Sequence, residues 1–306
     1  MKYYNNAAIT KFPEFSRLSL DHKKKITRII SAYEPYADFN FTNLYCWDTD
    51  DTAEIALLNK NLVIKYPDYI TSETLYSIIG HTKIDESLTE LFSHTNKLKL
   101  VPESVINKIK TKNKFNVNED LDNFDYIYQV KDIATLAGAK YKKKRHKIHQ
   151  AIDELSEGMV ITNTMTLTPE LQRKLLDLFD TWANETHESD ESTQLERKAL
   201  SRLLEASIKL NVIFTTIELN DIIVAFSIHE LLKNKYALCH FEKAKSVHGN
   251  IYALVINKAT SELLKHSVRY VNWEQDLGIT GIRQAKMGYH PSKFLKKYTV
   301  TLADNG

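Results

Sequence analysis

Cysteine is nearly absent. Only Cys46 and Cys239 occur in 306 residues, far apart and in no metal-ligand spacing. That excludes a disulfide framework and a cysteine-based zinc site, and it suits a reducing, cytoplasmic setting. Eight glycines and six prolines are too few for long flexible linkers or low-complexity tails. A net charge of +2 lacks the basic excess of a general nucleic-acid coat protein, while leaving room for a local patch. No apolar run approaches the roughly 18 residues of a membrane span. The longest, within Asp221–Phe226, has the length of a buried strand. The first six residues, Met-Lys-Tyr-Tyr-Asn-Asn, contain no apolar h-region, so no secretory signal is expected. No Ser/His/Asp nucleophile arrangement and no Walker loop stand out. His146 and His149 lack partners at zinc spacing and read as surface residues, and the acidic stretch 187–191 reads as a solvated helix connection, so no metal site is expected.

What is present is ordinary globular material: 43% hydrophobic and 26% charged, enough for one large domain or two of about 150 residues. Asp21 caps a first helix whose face carries Ile26, Ile29, Ile30 and Tyr33, and Pro35 ends it. A short second helix is expected near Phe41–Trp47. Glu54–Leu58 and Leu62–Tyr66 flank Asn59-Lys-Asn61 as a hairpin, and Leu75–Ile79 is a third strand. A helix (Asp85–Phe92), a strand (Leu98–Val101), a helix (Glu103–Lys110) and a final strand (Asp125–Val130) follow. The second half runs through a strand (Met159–Thr162), two helices (Thr168–Asn184 and Ser192–Lys209) and a meander of Val212–Glu218, Ile222–His229 and Tyr236–Glu242. A helix (Asn250–His266), a strand (Val268–Trp273), a helix (Ile282–Tyr289) and a last strand (Lys293–Leu302) complete it. Each half therefore reads β, α, α, β, β, β, α, β, α, β. The divisions expected are 1–135, a linking helix at 136–157, and 158–306.

Six of the eight residues from Lys140 to Lys147 are Lys or Arg. On a helix, Tyr141, Ile148, Ile152 and Leu155 share a face that Lys144 and Arg145 flank, while Lys142, Lys143 and Lys147 point elsewhere. Two readings of the inward pair stand side by side: ion pairs with acidic residues across the domain boundary, or a phosphate-bearing substrate. Near the C-terminus, Ile282, Ala285 and Tyr289 sit at i, i+3, i+7 as one apolar stripe, with Thr280 as N-cap. Lys286, at i+4 from Ile282, lies against that stripe. It either snorkels to water or has its charge put to use.

The element order resembles that of the GNAT acyltransferase superfamily, occurring twice: an α/β (α+β) protein of two tandem GNAT-like domains with mixed, mostly antiparallel sheets. A narrower resemblance rests on Leu136-Ala-Gly with Lys140-Tyr-Lys-Lys-Lys-Arg145, on Phe241-Glu-Lys-Ala244 with Gly249 and Asn257, and on Asn272-Trp-Glu-Gln-Asp-Leu-Gly278 with Gly281-Ile-Arg-Gln-Ala-Lys286, Tyr289 and Pro291. Together these are similar to the DUF2156 family, related to the C-terminal catalytic domain of phosphatidylglycerol lysyltransferases, over roughly residues 10 to 302. The stretch from Asp276 through Lys286 to Tyr289 more distantly resembles the closing motif of the Fem peptidoglycan aminoacyltransferases.

The resemblance implies an acyl or aminoacyl transferase, with aminoacyl-tRNA or acyl-CoA as co-substrate, no covalently bound cofactor and an amine or hydroxyl acceptor. Glu242 and Asp276, at the ends of adjacent expected strands, are base candidates, and Lys286 and Arg283 are oxyanion or phosphate candidates. The alternative for the two acids is capping or salt bridging to Lys144, Arg145 and Lys286. Lys140, Lys144, Arg145, Lys243, Gly249 and Asn250 are candidate donor-phosphate residues, and Asn272, Glu274 and Tyr289 line the pocket. The partners implied are tRNA and a small-molecule or lipid-headgroup acceptor, with peripheral membrane contact through Lys140–Lys147. A different class of function, a non-catalytic ligand- or RNA-binding module, is favoured if the inward cations are consumed in internal salt bridges.

Overall fold

Each half of the chain forms the same succession of elements. A computed structural model describes residues 7–67, 73–186, 191–245 and 249–303. The first half supplies β1 (Ser16–Arg17), α1 (Lys23–Ile30), α2 (Phe41–Cys46), β2 (Glu54–Leu58), β3 (Asn61–Pro67), β4 (Thr74–Ile79), α3 (Ile84–Leu91), β5 (Lys97–Pro102), α4 (Glu103–Ile106), β6 (Phe115–Glu119) and β7 (Asp125–Gln129). After α5 (Val130–Thr135) and α6 (Lys142–Leu155), the second half supplies β8 (Met159–Thr164), α7 (Pro169–Thr186), α8 (Glu191–Ala206), β9 (Val212–Leu219), β10 (Ile222–Leu231), β11 (Tyr236–Ala244), α9 (Ile251–Lys265), β12 (Tyr270–Asn272), α10 (Thr280–Met287), β13 (Lys293–Leu295) and β14 (Lys297–Leu302). The fold is mixed α/β with mostly antiparallel sheets, in the GNAT-like order expected twice over. Two strands were not foreseen separately. Strand β6 lies in a stretch for which the sequence predicts no element, and the expected strand Lys293–Leu302 is two, β13 and β14.

Two units result, one of residues 1–125, 275–280 and 294–306, the other of 126–274 and 281–293. This differs from the divisions read from the sequence. Strand β14, read with the second half, lies in the first unit between β5 and β6. Strand β7, read as the end of the first half, pairs antiparallel with β12 in the sheet of the second unit, and the basic helix α6 belongs to that unit instead of linking two domains. Each half of the sequence thus ends in a strand that completes the opposite unit.

In the first unit, β1-β2-β3-β4 form one antiparallel sheet and β5-β14-β6 another. Its core contains Ala56, Val63, Ile78, Leu88, Val101 and Val300. Lys297 on β14 is fully buried, 2.7 Å from Asp125 Oδ1 and paired also with Asp38. Burial pushes its ammonium down, but the two carboxylates more than reverse this, so it stays charged. Behind β4, Asn61 fills the turn that leads into α3. It donates to Thr82 O (2.7 Å), accepts from Thr82 N (3.0 Å), and lies where any side chain at Gly80 would have to go.

The sheet of the second unit runs β13-β7-β12-β11-β10-β9-β8. Helix α9, with α5 and α6 beside it, covers one face, and α7 and α8 cover the other. The strand β10, IIVAFSIHEL, is buried along nearly its whole length, as its continuous apolar start requires. Strands β11 and β12 run parallel and pair over just three positions, the last being Leu238 with Asn272. Beyond it β11 continues to Ala244 while the other strand turns away. Their C-terminal ends therefore part, and this is what positions the site.

Candidate active site

Where β11 and β12 part, an irregularity in β11 sets which side chains meet. Ile228 pairs with Phe241 but His229 pairs with Cys239, so His240 is an extra residue. A bulge of this kind turns the following residues relative to the preceding ones. It brings Cys239 and Glu242 to the same neighbour, Ser227, whose Oγ lies 3.9 Å from Cys239 Sγ and 3.4 Å from Glu242 Oε2.

Glu242 lies deep in the unit yet keeps a partly exposed surface. Burial raises its carboxyl to about 8, against the opposing effects of the Ser227 hydroxyl and the Lys286 and Lys243 ammoniums. Lys286 arrives from α10 and donates to Trp273 O at 2.5 Å, and Tyr128 Oη donates to Lys286 O at 2.8 Å. Aromatic rings wall the place: Trp273 packs on Tyr128 (centroids 4.3 Å) and edge-on to Tyr289 (5.1 Å). Burial, and then the Glu242 charge, push the Tyr289 hydroxyl well above its usual range, so it stays protonated.

Helix α6 closes the other side of Tyr289. Lys144 Nζ stands 3.7 Å from the ring centroid, and Tyr141 donates to Tyr289 O (3.1 Å). A Cβ at Gly288 would crowd the carbonyls of Gln284 (3.2 Å) and Ala285 (3.3 Å) while reaching only ordinary contact with Lys144 Nζ (3.6 Å). Burial, and then Lys147, lower Lys144 to about 8. Of the face read from the spacing, Tyr141, Ile148 and Leu155 are buried and Ile152 is half-buried, with Ala151 buried beside them, while Lys142, Lys143 and Lys147 are exposed, and so are His146 and His149. The expected acidic partners of Lys144 and Arg145 are not found among the described residues. Arg145 instead donates to the carbonyls of Leu136 (2.5 Å) and Gly138 (2.7 Å), holding the turn into α6.

Several sequence expectations are corrected. Of the stripe Ile282, Ala285 and Tyr289, only Tyr289, just past the end of α10, is buried; Ile282 is 38% exposed, Ala285 is exposed, and α10 itself buries no residue. Its inward side carries the half-buried Arg283 and Lys286, one turn apart. Lys243 does not join the donor set. One residue after Glu242 on a strand, it points to the opposite face, paired with Glu196 at 2.9 Å and lying over Trp182 at 3.4 Å. Asp276 belongs to the first unit, where its Oδ1 accepts from Gly278 N (2.9 Å) as a turn cap, whereas Glu242 belongs to the second. Asn272 is fully buried and accepts from Glu274 N (2.6 Å), bending the chain where it leaves β12. Glu274 itself has φ +57 and lies 3.9 Å from His240 Nδ1. Lys140 stands over Tyr141 and 4.0 Å from Asp132. At the start of α9, Asn250 reaches Gln150 on α6 (3.2 Å), and Gly249 is exposed with open space about its Cα. Residues 246–248 of the expected donor loop, and 187–190 of the acidic connection, lie outside the described residues.

Sequence reasoning passed over Ser227, His229 and Cys239. The sign was there: a serine and a histidine two apart in a strand otherwise apolar from Ile222 to Ile228. Both are almost wholly buried, Ser227 at 0% and His229 at 2% exposure. Among the described residues no group of three or more His, Cys, Asp or Glu could hold a metal ion, and no helix is long and apolar enough to cross a membrane.

Comparison with known proteins places these features in context. Residues 30–301 match the family described as phosphatidylglycerol lysyltransferase, C-terminal. No curated protein matches the chain. Among solved structures, a conserved protein of unknown function from Bacteroides thetaiotaomicron superposes with a TM-score of 0.83 at 26% identity, over 94% of this chain and 99% of that one. The DUF2156 domain of Agrobacterium fabrum, described as the C-terminal domain of a lysylphosphatidylglycerol synthetase, gives 0.64 at 11% identity over 94% and 93%. The L-PGS structure from Bacillus licheniformis gives 0.61 at 12% identity over 97% and 94%.

Proposed function

The chain belongs to the phosphatidylglycerol lysyltransferase C-terminal family, and on that premise we propose that it is a transferase moving an acyl or aminoacyl group onto an amine or hydroxyl acceptor. The donor is an aminoacyl-tRNA or an acyl-CoA, the setting is cytoplasmic, and a lipid headgroup is one acceptor of the right chemistry. The observation that carries this reading is the recessed Glu242, raised to about 8, beside the Lys286 ammonium where β11 and β12 part.

Direct transfer to a neutral nucleophile needs a group to take the acceptor proton and a cation or N–H to hold the tetrahedral oxygen. Glu242 as carboxylate takes the proton from the acceptor nitrogen or oxygen as that atom bonds to the acyl carbon. When the tetrahedral oxyanion collapses, the donor's ester or thioester bond breaks and the proton returns from Glu242 to the departing ribose hydroxyl or thiol. Lys286 is held by its bond to Trp273 O, and its charge stabilises the oxyanion as it forms. The half-buried Arg283, one turn earlier on the same side of α10, adds a second cation. The N-terminus of the 15-residue helix α9 and the Lys144 ammonium suit the phosphates of either donor.

Native mass spectrometry with acyl-CoA and then with charged tRNA tests the donor, followed by single-turnover transfer with whichever is retained. Transfer should rise with pH to a plateau above about 8, because the base acts deprotonated. Glu242→Gln should remove that rise and slow transfer by roughly 10²–10⁴-fold. Lys286→Ala should lower the maximal rate more than donor affinity. Retention of neither donor, or full turnover in both variants, would overturn the proposal.

A further inference from the structure

Beneath Glu242 lie two buried polar side chains that the transfer chemistry does not use, Ser227 and His229 on β10. A strand this apolar gains nothing from them in packing, and burying such groups costs free energy unless they are bonded. We propose that Ser227 is the positioning residue for Glu242 and that His229 sets its direction: His229 Nδ1–H donates to Ser227 Oγ, and the Ser227 hydroxyl donates to the Glu242 carboxylate.

The geometry supplies the chain of contacts, 3.2 Å from His229 Nδ1 to Ser227 Oγ and 3.4 Å from Ser227 Oγ to Glu242 Oε2. Its polarity follows from the far side of the imidazole. His229 Nε2 is buried and has no hydrogen-bond partner among the described residues. A neutral imidazole carries its proton on one nitrogen only. Nε2 lacks a partner in either tautomer, but with the proton on it Nε2 would be an orphan buried N–H, which folded proteins avoid more strictly than an under-satisfied acceptor. Placed on Nδ1, the proton is used, and the serine proton is left for Glu242. The imidazole is neutral, because burial, and then the neighbouring His240, lower it to about 3. The other groups facing this chain do not compete for the serine proton. Cys239 Sγ, 3.9 Å from Ser227 Oγ, is a weak acceptor, and as a thiol kept protonated by burial it can donate its own S–H to the serine oxygen. Lys286, Lys243 and Tyr289 act on Glu242 itself. His240 is engaged with Glu230 (3.2 Å) and Glu274.

The polarity is read without substrate. Above about pH 8, where Glu242 is a carboxylate, long-range ¹H–¹⁵N correlation of the histidine rings, with His229 assigned from the His229→Asn spectrum, should show a protonated Nδ1 and a bare Nε2; a protonated Nε2 there overturns the proposal. Carboxyl ¹³C titration then follows Glu242 from its midpoint of about 8. Ser227→Ala should move that midpoint upward by about half a unit, and Ser227→Thr should restore it. An unmoved midpoint in folded Ser227→Ala, or no restoration by threonine, also overturns it. The catalytic meaning rests on Glu242 being the base. If wild-type protein transfers nothing, that reading falls while the tautomer and titration results still decide the chain of hydrogen bonds. If transfer is found, the acid limb of its pH profile should shift upward in Ser227→Ala and return in Ser227→Thr.

Discussion

Glu242 holds its proton more tightly in the folded protein, at about 8, than an unfolded chain would. Folding is therefore favoured fully at low pH and loses this contribution as pH rises from the ordinary carboxylate range through about 8. Glu242→Gln, neutral at every pH, should match the native stability near pH 4 and exceed it near pH 9. The gain should be roughly 1–3 kcal/mol, below the full linkage value because the carboxyl keeps a solvent-facing edge. Chemical denaturation at the two pH values checks it, and equal stabilities at pH 9 would argue that the carboxyl is not desolvated. Glu242 was singled out from its motif, but its raised proton affinity was not legible. That depends on the bulge at His240 and on the walls formed by Trp273 and Tyr289.

At the scale of one element, the basic helix α6 read well. The i, i+3, i+4 pattern alone separated Lys144 and Arg145 from their exposed neighbours, because side-chain direction on a helix follows from position. Their partners could not be read, since these come from Leu136, Gly138 and Tyr289 on other segments. Lys144 is lowered to about 8, so at neutral pH its charge works against folding, and the penalty fades as pH rises through about 8 toward its unfolded value. Lys144→Met should raise stability at pH 7 by about 1 kcal/mol, moderated by the cation–π contact with Tyr289, and should weaken donor retention. A melting scan paired with the binding measurement separates the two effects, and a destabilised variant would show that the contact outweighs the desolvation. On α10 the same pattern reasoning failed. The stripe of Ile282 and Ala285 implied an inward apolar face, whereas the inward side is the one with Arg283 and Lys286. An eight-residue helix has too little apolar surface for periodicity to set its orientation against the demands of a polar site.

Across the whole molecule, the last strand is the decisive part. In the first unit β14 supplies the middle strand of its sheet and the only cation paired with both Asp38 and Asp125 among the described residues. Lys297→Met should leave two carboxylates buried without that cation and cost the first unit about 3–5 kcal/mol. Hydrogen exchange should report this as faster exchange in β5 and β6 with β9 and β10 unchanged; uniform loosening of all four strands would contradict it.

What the sequence by itself determined is local. Strand and helix order, the hairpin turns, the exposed basic face of α6 and the family follow from periodicity, turn residues and motifs acting over a few residues. Only the tertiary structure decided which unit each terminal strand joins, which face of β11 carries Glu242, and that Asp276 caps a turn in the first unit. Strand pairing depends on partners more than a hundred residues distant, such as β14 with β5. A single bulge changes which side chains face the site, and neither effect leaves a mark in local sequence pattern.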